Sequence, residues 1–276
     1  GASPSLSAAY PPHDVTDEAL DAALTGTLHA HEAEILTFME SPPQTNEVRR
    51  AAVLIAAGHW ITARFQRPLR VSEIGASAGL NLNWDFFRLS VLGRQLGPQS
   101  SPLELRPDWR GRPPVICPPY VHDSRGVDLR PIDVTDEDQA LRLHAYLWPD
   151  QAERAARTQA AIELFKAPQT EGRLDAGDAL GWLPARLPHL PGYGHMIFST
   201  IAWQYLPEDA QAEGARMITE AGATATPETP LIWFRMEPDG GRGAALTLRS
   251  WPDDEEIMMG RVDFHGRWVE WAAPAP

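Results

Sequence analysis

The residues best suited to chemistry lie in Val71-Ser72-Glu73-Ile74-Gly75-Ala76-Ser77-Ala78-Gly79-Leu80-Asn81, where an apolar strand ends in an acid and small residues fall at every second position. Gly75 can take a positive φ, and Gly79 permits close backbone approach. Amide groups at the start of the following helix can then face a carboxylate or phosphate. Glu73 can accept from an ammonium or hydroxyl group beside that turn. The spacing acid-x-Gly-x-Ser-x-Gly departs from Gly-x-Gly-x-x-Gly, and no acid lies about 20 residues beyond it, which disfavours a dinucleotide site and a nicotinamide-dependent oxidoreductase. The plain alternative is a tight strand–helix turn that holds no ligand.

A second group follows the apolar run 196–198. Ser199, Trp203, Gln204 and Tyr205 stand at a strand's carboxyl end, where open α/β sheets bind ligands. Trp203 can line a pocket, Gln204 can hydrogen-bond an acceptor without carrying charge, and Tyr205 can orient one through its hydroxyl. Tyr205, Glu237 and His265 are the candidates for proton removal, with His265 nearest neutrality by its ordinary pKa. A hairpin histidine is nevertheless more often structural. Arg154 and Arg157 share a helix, where surface ion pairs explain them about as well as ligand binding does. His29 and His31 point about 200° apart on a helix, so with Glu32 and Glu34 they form a solvated face and no metal site is expected. The acidic run Asp253–Glu256 reads as a solvated hairpin loop.

Scarcities exclude other chemistry. One cysteine, Cys117, allows no disulfide within the chain and no CxxC pair. One lysine, Lys166, among 24 basic residues leaves no Walker loop, and a pyridoxal Schiff base would have to use that solvated side chain at a helix end. The net charge of −13 repels phosphate backbones, so no nucleic-acid partner is expected. Residues 67–131 run against the trend with nine arginines and six acids, and are the expected host for any anionic ligand. No apolar stretch approaches the ~20 residues of a membrane span, and the first residues lack the pattern of a signal peptide. A cytoplasmic protein acting on a small molecule is expected.

The elements that position these residues follow from periodicity. The 276 residues suit one large domain or two small ones. Leu20, Leu24, Leu28, Ile35 and Leu36 behind Thr16 predict one helix, and Val48, Ala52, Ile55 and Ile61 a second, giving an N-terminal helical segment or lid over 1–67. From residue 68 strands alternate with helices, with insertions at about 86–125 (β-rich) and 135–166 (two helices, the second opening at Pro149). Strands are expected at 70–74, 126–132, 173–176, 194–200, 229–236, 244–251 and 261–271, and a helix at 207–221. Strands alternating with helices and then following one another predict an α/β sheet, mostly parallel, with an antiparallel end.

The acid followed by Gly, Ser and Gly at Glu73, Gly75, Ser77 and Gly79 resembles the first motif of Rossmann-like S-adenosylmethionine-dependent methyltransferases. From about residue 45 the chain also resembles an uncharacterised bacterial domain family. That likeness rests on Glu73–Asn81, Gly126-Val127-Asp128 with Pro131 and Asp133, Trp148-Pro149-Asp150-Gln151 with Arg154, Gln204-Tyr205-Leu206, Arg235-Met236-Glu237, and His265-Gly266 with Trp271. The methyltransferase likeness implies a Rossmann-like methyltransferase-type sheet and S-adenosylmethionine as cofactor. It implies that Glu73, Gly75, Ser77, Gly79 and Asn81 face the cofactor's methionine and ribose, that Asp128 binds the ribose hydroxyls, and that Asp178 faces the adenine. Ser199, Trp203 and Gln204 would then contact the acceptor, and residues 229–271 would form three closing strands. The fourth strand ends in Ser199-Thr200, without the Asn/Asp-Pro-Pro-Tyr pattern of amino-group methyltransferases. The runner-up is a non-catalytic module on the same fold that binds a nucleotide-like ligand or a protein.

Overall fold

The computed structural model describes residues 3–10, 12–40, 44–148, 150–167 and 173–276. Its frame is a nine-stranded mixed sheet built around β1 (Leu69–Ile74). Parallel to β1 on one side run β6 (Val121–Asp128) and then β7 (Leu174–Ala176). On the other side run β8 (Gly194–Thr200) and then β9 (Leu231–Pro238). From β9 the chain turns back as an antiparallel meander of β10 (Ala244–Trp251), β11 (Glu255–Val262) and β12 (Trp268–Trp271). The central strands are apolar on both faces, and every residue of β8 is buried, as expected where helices cover both sides of a parallel sheet.

Side-chain alternation divides the core in two. Val71, Met196, Phe198, Ile232 and Phe234 point to a face covered by α4 (Ala51–Phe65) and α6 (Ala152–Phe165). Ile74, Ile197, Leu231 and Trp233 point to the opposite face, against α7 (Ala179–Arg186) and α8 (Glu208–Gly222). Helix α4 buries Ala51 through Ile61 without a break, so it belongs to the main core and not to a separate N-terminal lid. The helices ahead of it, α1 (Pro4–Ala9), α2 (Asp17–Ala30) and α3 (Glu32–Met39), differ sharply. Neither α2 nor α3 buries a residue.

Several elements depart from the expected pattern. The first long helix is broken at His31, whose φ of −121° takes it out of the helical region. The insertion at 86–125 splits into β2 (Arg88–Val91), β3 (Arg94–Leu96) and β4 (Glu104–Leu105), which form a separate three-stranded sheet, and β5 (Asp108–Gly111), which adds to the far edge of the main sheet beside β12. β6 begins at Val121, five residues before the predicted strand. The pair α5 (Glu137–Ala145) and α6 fills 135–166, with Asp136 capping α5; Pro149 lies outside the described residues. One strand predicted over 261–271 is two, because Gly266 turns the chain between β11 and β12. Glu255 and Glu256 of the acidic run belong to β11. The predicted three closing strands are therefore four.

Candidate functional site

The chain moves outward from β1 to β6 and β7 on one side, then crosses to β8 on the other, so the strand order reverses between β1 and β8. Ligands of open α/β sheets bind outside the carboxyl ends of the strands at such a point. A cavity of about 320 Å³ opens there, within the common size range of small-molecule sites. Each strand contributes where it ends: Glu73, Ile74, Gly75 and Ser77 at the end of β1 and just after it, Asp128 and Leu129 at the end of β6, Gly177 to Ala179 after β7, and Thr200 to Ala202 at the end of β8. Gln44 to Asn46 and Arg50, from the turn before α4, complete the wall.

The turn after β1 runs through Gly75, Ser77 and Gly79, all at positive φ. A Cβ on Gly75 would overlap that of Ala202, so glycine lets this turn and the loop after β8 share one wall. Asp128 holds the turn, its Oδ2 accepting from Ser77 N at 2.8 Å. Its Oδ1 accepts from Arg130 N at 2.9 Å and from Gln44 Nε2 at 3.2 Å. Glu73 is 1% exposed and its side chain makes no hydrogen bond among the described residues; its Oε2 and the Ser77 Oγ are both buried without a partner. Burial pushes the Glu73 carboxyl well above its ordinary pKa, the charge of Asp128 adds to that, and Arg50 opposes it. Arg50 spends Nε on Phe264 O at 2.9 Å and Nη1 on Thr200 O at 2.8 Å. The wall thus offers two orphaned polar groups, the carboxylates of Asp128 and Asp178, a guanidinium and an apolar lining of Ile74, Val127, Ala179 and Leu206. Such a wall can take a ligand that has both a cationic and an anionic end and a flat apolar body.

The structure gathers Glu73, Gly75, Ser77, Asp128, Asp178 and Tyr205 around this cavity. Asp178 also caps α7 through Gly181 N at 2.9 Å. Tyr205 stands at the rim, 78% exposed, with no hydrogen bond to its hydroxyl among the described residues.

The remaining expected site residues lie elsewhere. A Cβ on Gly79 would sit 2.8 Å from Phe165 Cε2 in α6, so this glycine serves helix packing. Asn81 is buried beneath Glu47, donating to its carbonyl at 3.4 Å. Ser199 is fully buried and donates to Glu237 Oε1 at 2.8 Å; the same oxygen accepts from Ala202 N and Trp203 N. Glu237 is thus the clamp of the loop after β8, not a base in the cavity. Trp203 packs edge-on to Trp233 in the core, and Gln204 faces solvent. His265 stands near Glu47 in a different cavity, and burial holds it below the ordinary imidazole pKa.

Arg50 and Gln44 were not among the expected residues. Arg50 sits in the helical pattern before α4, where nothing in the spacing separates a ligand-facing arginine from a solvated one. The signal that could have found it is the company it keeps: Arg49-Arg50 precedes a run from Ala51 to Ala57 in which every residue is apolar.

Comparison with known families gives one result. Residues 1–271 match the family described as "Uncharacterized protein conserved in bacteria (DUF2332)", and the chain belongs to it. No curated protein and no solved structure matches.

Proposed function

We propose that this member of the family binds S-adenosylmethionine in the cavity between β1 and β8 and catalyses methyl transfer to a small molecule, on a Rossmann-like methyltransferase-type sheet. The observation that carries the proposal is the convergence of Glu73, Asp128, Asp178 and Thr200–Ala202 from four successive parallel strands, with Glu73 Oε2 and Ser77 Oγ buried and unpartnered among them. These residues fit the group. Glu73 would take the ammonium, Arg50 the carboxylate, and Asp128 the ribose hydroxyls once Gln44 releases its Oδ1. Asp178 and the apolar lining would face the purine. When bound, S-adenosylmethionine supplies an electrophilic methyl group on a cationic sulfur.

The protein's own part is alignment. Asp128 places negative potential beside the cation, Glu73 offers a buried acceptor, and Tyr205 stands at the mouth where an acceptor enters. A non-catalytic binding module remains the second reading, favoured by a specific observation: neither Glu237 nor His265 lines the cavity. Tyr205→Phe separates the two. For a methyltransferase it spares cofactor affinity and stability but lowers turnover, because only acceptor alignment is lost. Unchanged turnover per folded molecule removes Tyr205 from the chemistry. Tight cofactor binding with no methyl transfer to any acceptor in a broad metabolite pool favours the module.

A further inference from the structure

The short turn Val48–Arg50 sends its two arginines in opposite directions. Arg50 enters the cavity described above. Arg49 enters a second cavity, of about 570 Å³, walled by Glu47, Asp150, Glu153, Arg154, Arg157 and Arg267, with Trp148 beside them. Two of its arginines are directly paired. Arg154 Nε lies 2.8 Å from Glu47 Oε2, and Arg267 makes a two-pronged pair with Asp263 at 2.8 Å on each side. Arg49 and Arg157 are the exceptions: neither side chain has an ion pair or hydrogen bond among the described residues, and Arg157 Nε and Nη2 are buried without a partner. Burial is the main influence lowering the Arg157 pKa, the like charge of Arg49 lowers it further, and the charges of Glu47 and Glu153 oppose both without a direct contact to the guanidinium. A guanidinium keeps its proton in proteins and cannot escape by neutralising. Two guanidinium groups that face one cavity without a direct hydrogen-bond partner can both donate to a dianion.

We propose that this second cavity binds the phosphate group of a small-molecule phosphomonoester, held between Arg49 and Arg157. A phosphate monoester carries about −1.5 to −2 charges at neutral pH, which matches two guanidinium forks, whereas a carboxylate would leave one unmatched. Trp148, 70% exposed at the mouth, offers a ring face to whatever the phosphate is attached to. Within the arginine-rich stretch 67–131, Arg70, Arg88, Arg106, Arg110 and Arg125 pair with acids, Arg88 and Arg106 sharing Glu104, and Arg94 and Arg112 donate to the carbonyls of Pro114 and Ala273. The inference stands apart from the methyl-transfer reading, since none of its residues lines the first cavity.

Calorimetric titration at pH 8 and low salt tests it, using inorganic phosphate, with acetate at equal ionic strength as the singly charged comparison. The expected result is one saturable phosphate site per chain, at least tenfold weaker in Arg157→Gln and in Arg49→Gln and unchanged in the surface variant Arg216→Gln, with acetate at least tenfold weaker than phosphate. Without phosphate Arg157→Gln melts above the native protein, and added phosphate narrows the gap. If Arg157→Gln does not fold, Arg49→Gln alone decides. No saturable phosphate binding, equal binding of acetate, or native affinity in either site variant overturns the proposal.

Discussion

Glu73 is the residue on which the proposed site turns, because its position costs stability. A carboxyl buried without a hydrogen bond loses its hydration and gains nothing inside the protein, and the neighbouring Asp128 makes its ionisation harder still. Its folded-state pKa lies above the unfolded value, so its contribution to stability is fully present below the unfolded pKa and is lost as pH rises through the folded one. Glu73→Gln keeps the shape and removes that loss. The variant should be about 1–3 kcal/mol more stable than the native protein at pH 8, by an advantage that shrinks toward pH 4, and should bind S-adenosylhomocysteine at least tenfold more weakly. Denaturant unfolding at the two pH values measures the first effect. A variant less stable than the native chain would mean that Glu73 has an internal partner. Sequence alone showed that an acid ends this strand; that the acid is unpartnered depends on Asp128, 55 positions later, and is invisible to spacing.

At the scale of elements, the site depends on how the turn after β1 and the loop after β8 are held. Asp128 ties the first through Ser77 N, and Glu237 ties the second through Ser199 Oγ, Ala202 N and Trp203 N. Hydrogen bonds to a charged acceptor contribute about 1.5–3 kcal/mol each where they are well made. Glu237→Ala should therefore lower stability by at least about 2 kcal/mol and weaken ligand binding through disorder of 199–203, with faster amide exchange at Ala202 and Trp203 as the specific sign. Native exchange rates there, together with lost turnover, would restore Glu237 to a chemical role. Strands β1, β7, β8 and β10 were legible because each is a short stretch with apolar residues set off by Gly, Pro or acid. Helix α7 was not: Ala179–Arg186 is eight residues with Pro184 inside, and tertiary packing of Leu183 decides it against that local signal. The same holds for the role of Glu237, since a glutamate near a strand end reads alike whether it clamps a loop or moves a proton.

Across the whole molecule, charge is distributed so that buried titratable groups work against one another. His59 is pushed down to about 4 by burial, and His195, wholly enclosed and hydrogen-bonded to Ser72 at 2.8 Å, lies well below the ordinary value. Both contribute stability that is lost as pH falls below the unfolded imidazole value. Asp85, raised to about 6 by burial against the pull of Arg173, acts oppositely: its contribution is present below the unfolded carboxyl value and is lost as pH rises through about 6. Asp85→Asn should gain on the native protein by up to about 1.4 kcal/mol per pH unit between about pH 4 and 6. A difference independent of pH would show that Asp85 ionises normally. Among the described residues no helix is long and apolar enough to cross a membrane. The sequence foretold the α/β class and the antiparallel end. The fate of 86–125, split between a small sheet and the far edge of the large one, was not legible, because the β5–β12 pairing joins residues about 160 apart.

The most direct measurement is titration of S-adenosylhomocysteine into the native protein and into Asp128→Ala, with melting temperature recorded for both. Asp128 is the test residue because its carboxylate joins the turn after β1 to the end of β6, and its Oδ1 is where a ribose hydroxyl would replace Gln44. Saturable binding to the native chain at one site, a melting temperature that rises with ligand, and at least tenfold weaker binding to a folded Asp128→Ala are predicted. No binding to the native chain, or equal binding to both, would contradict an S-adenosylmethionine site between β1 and β8.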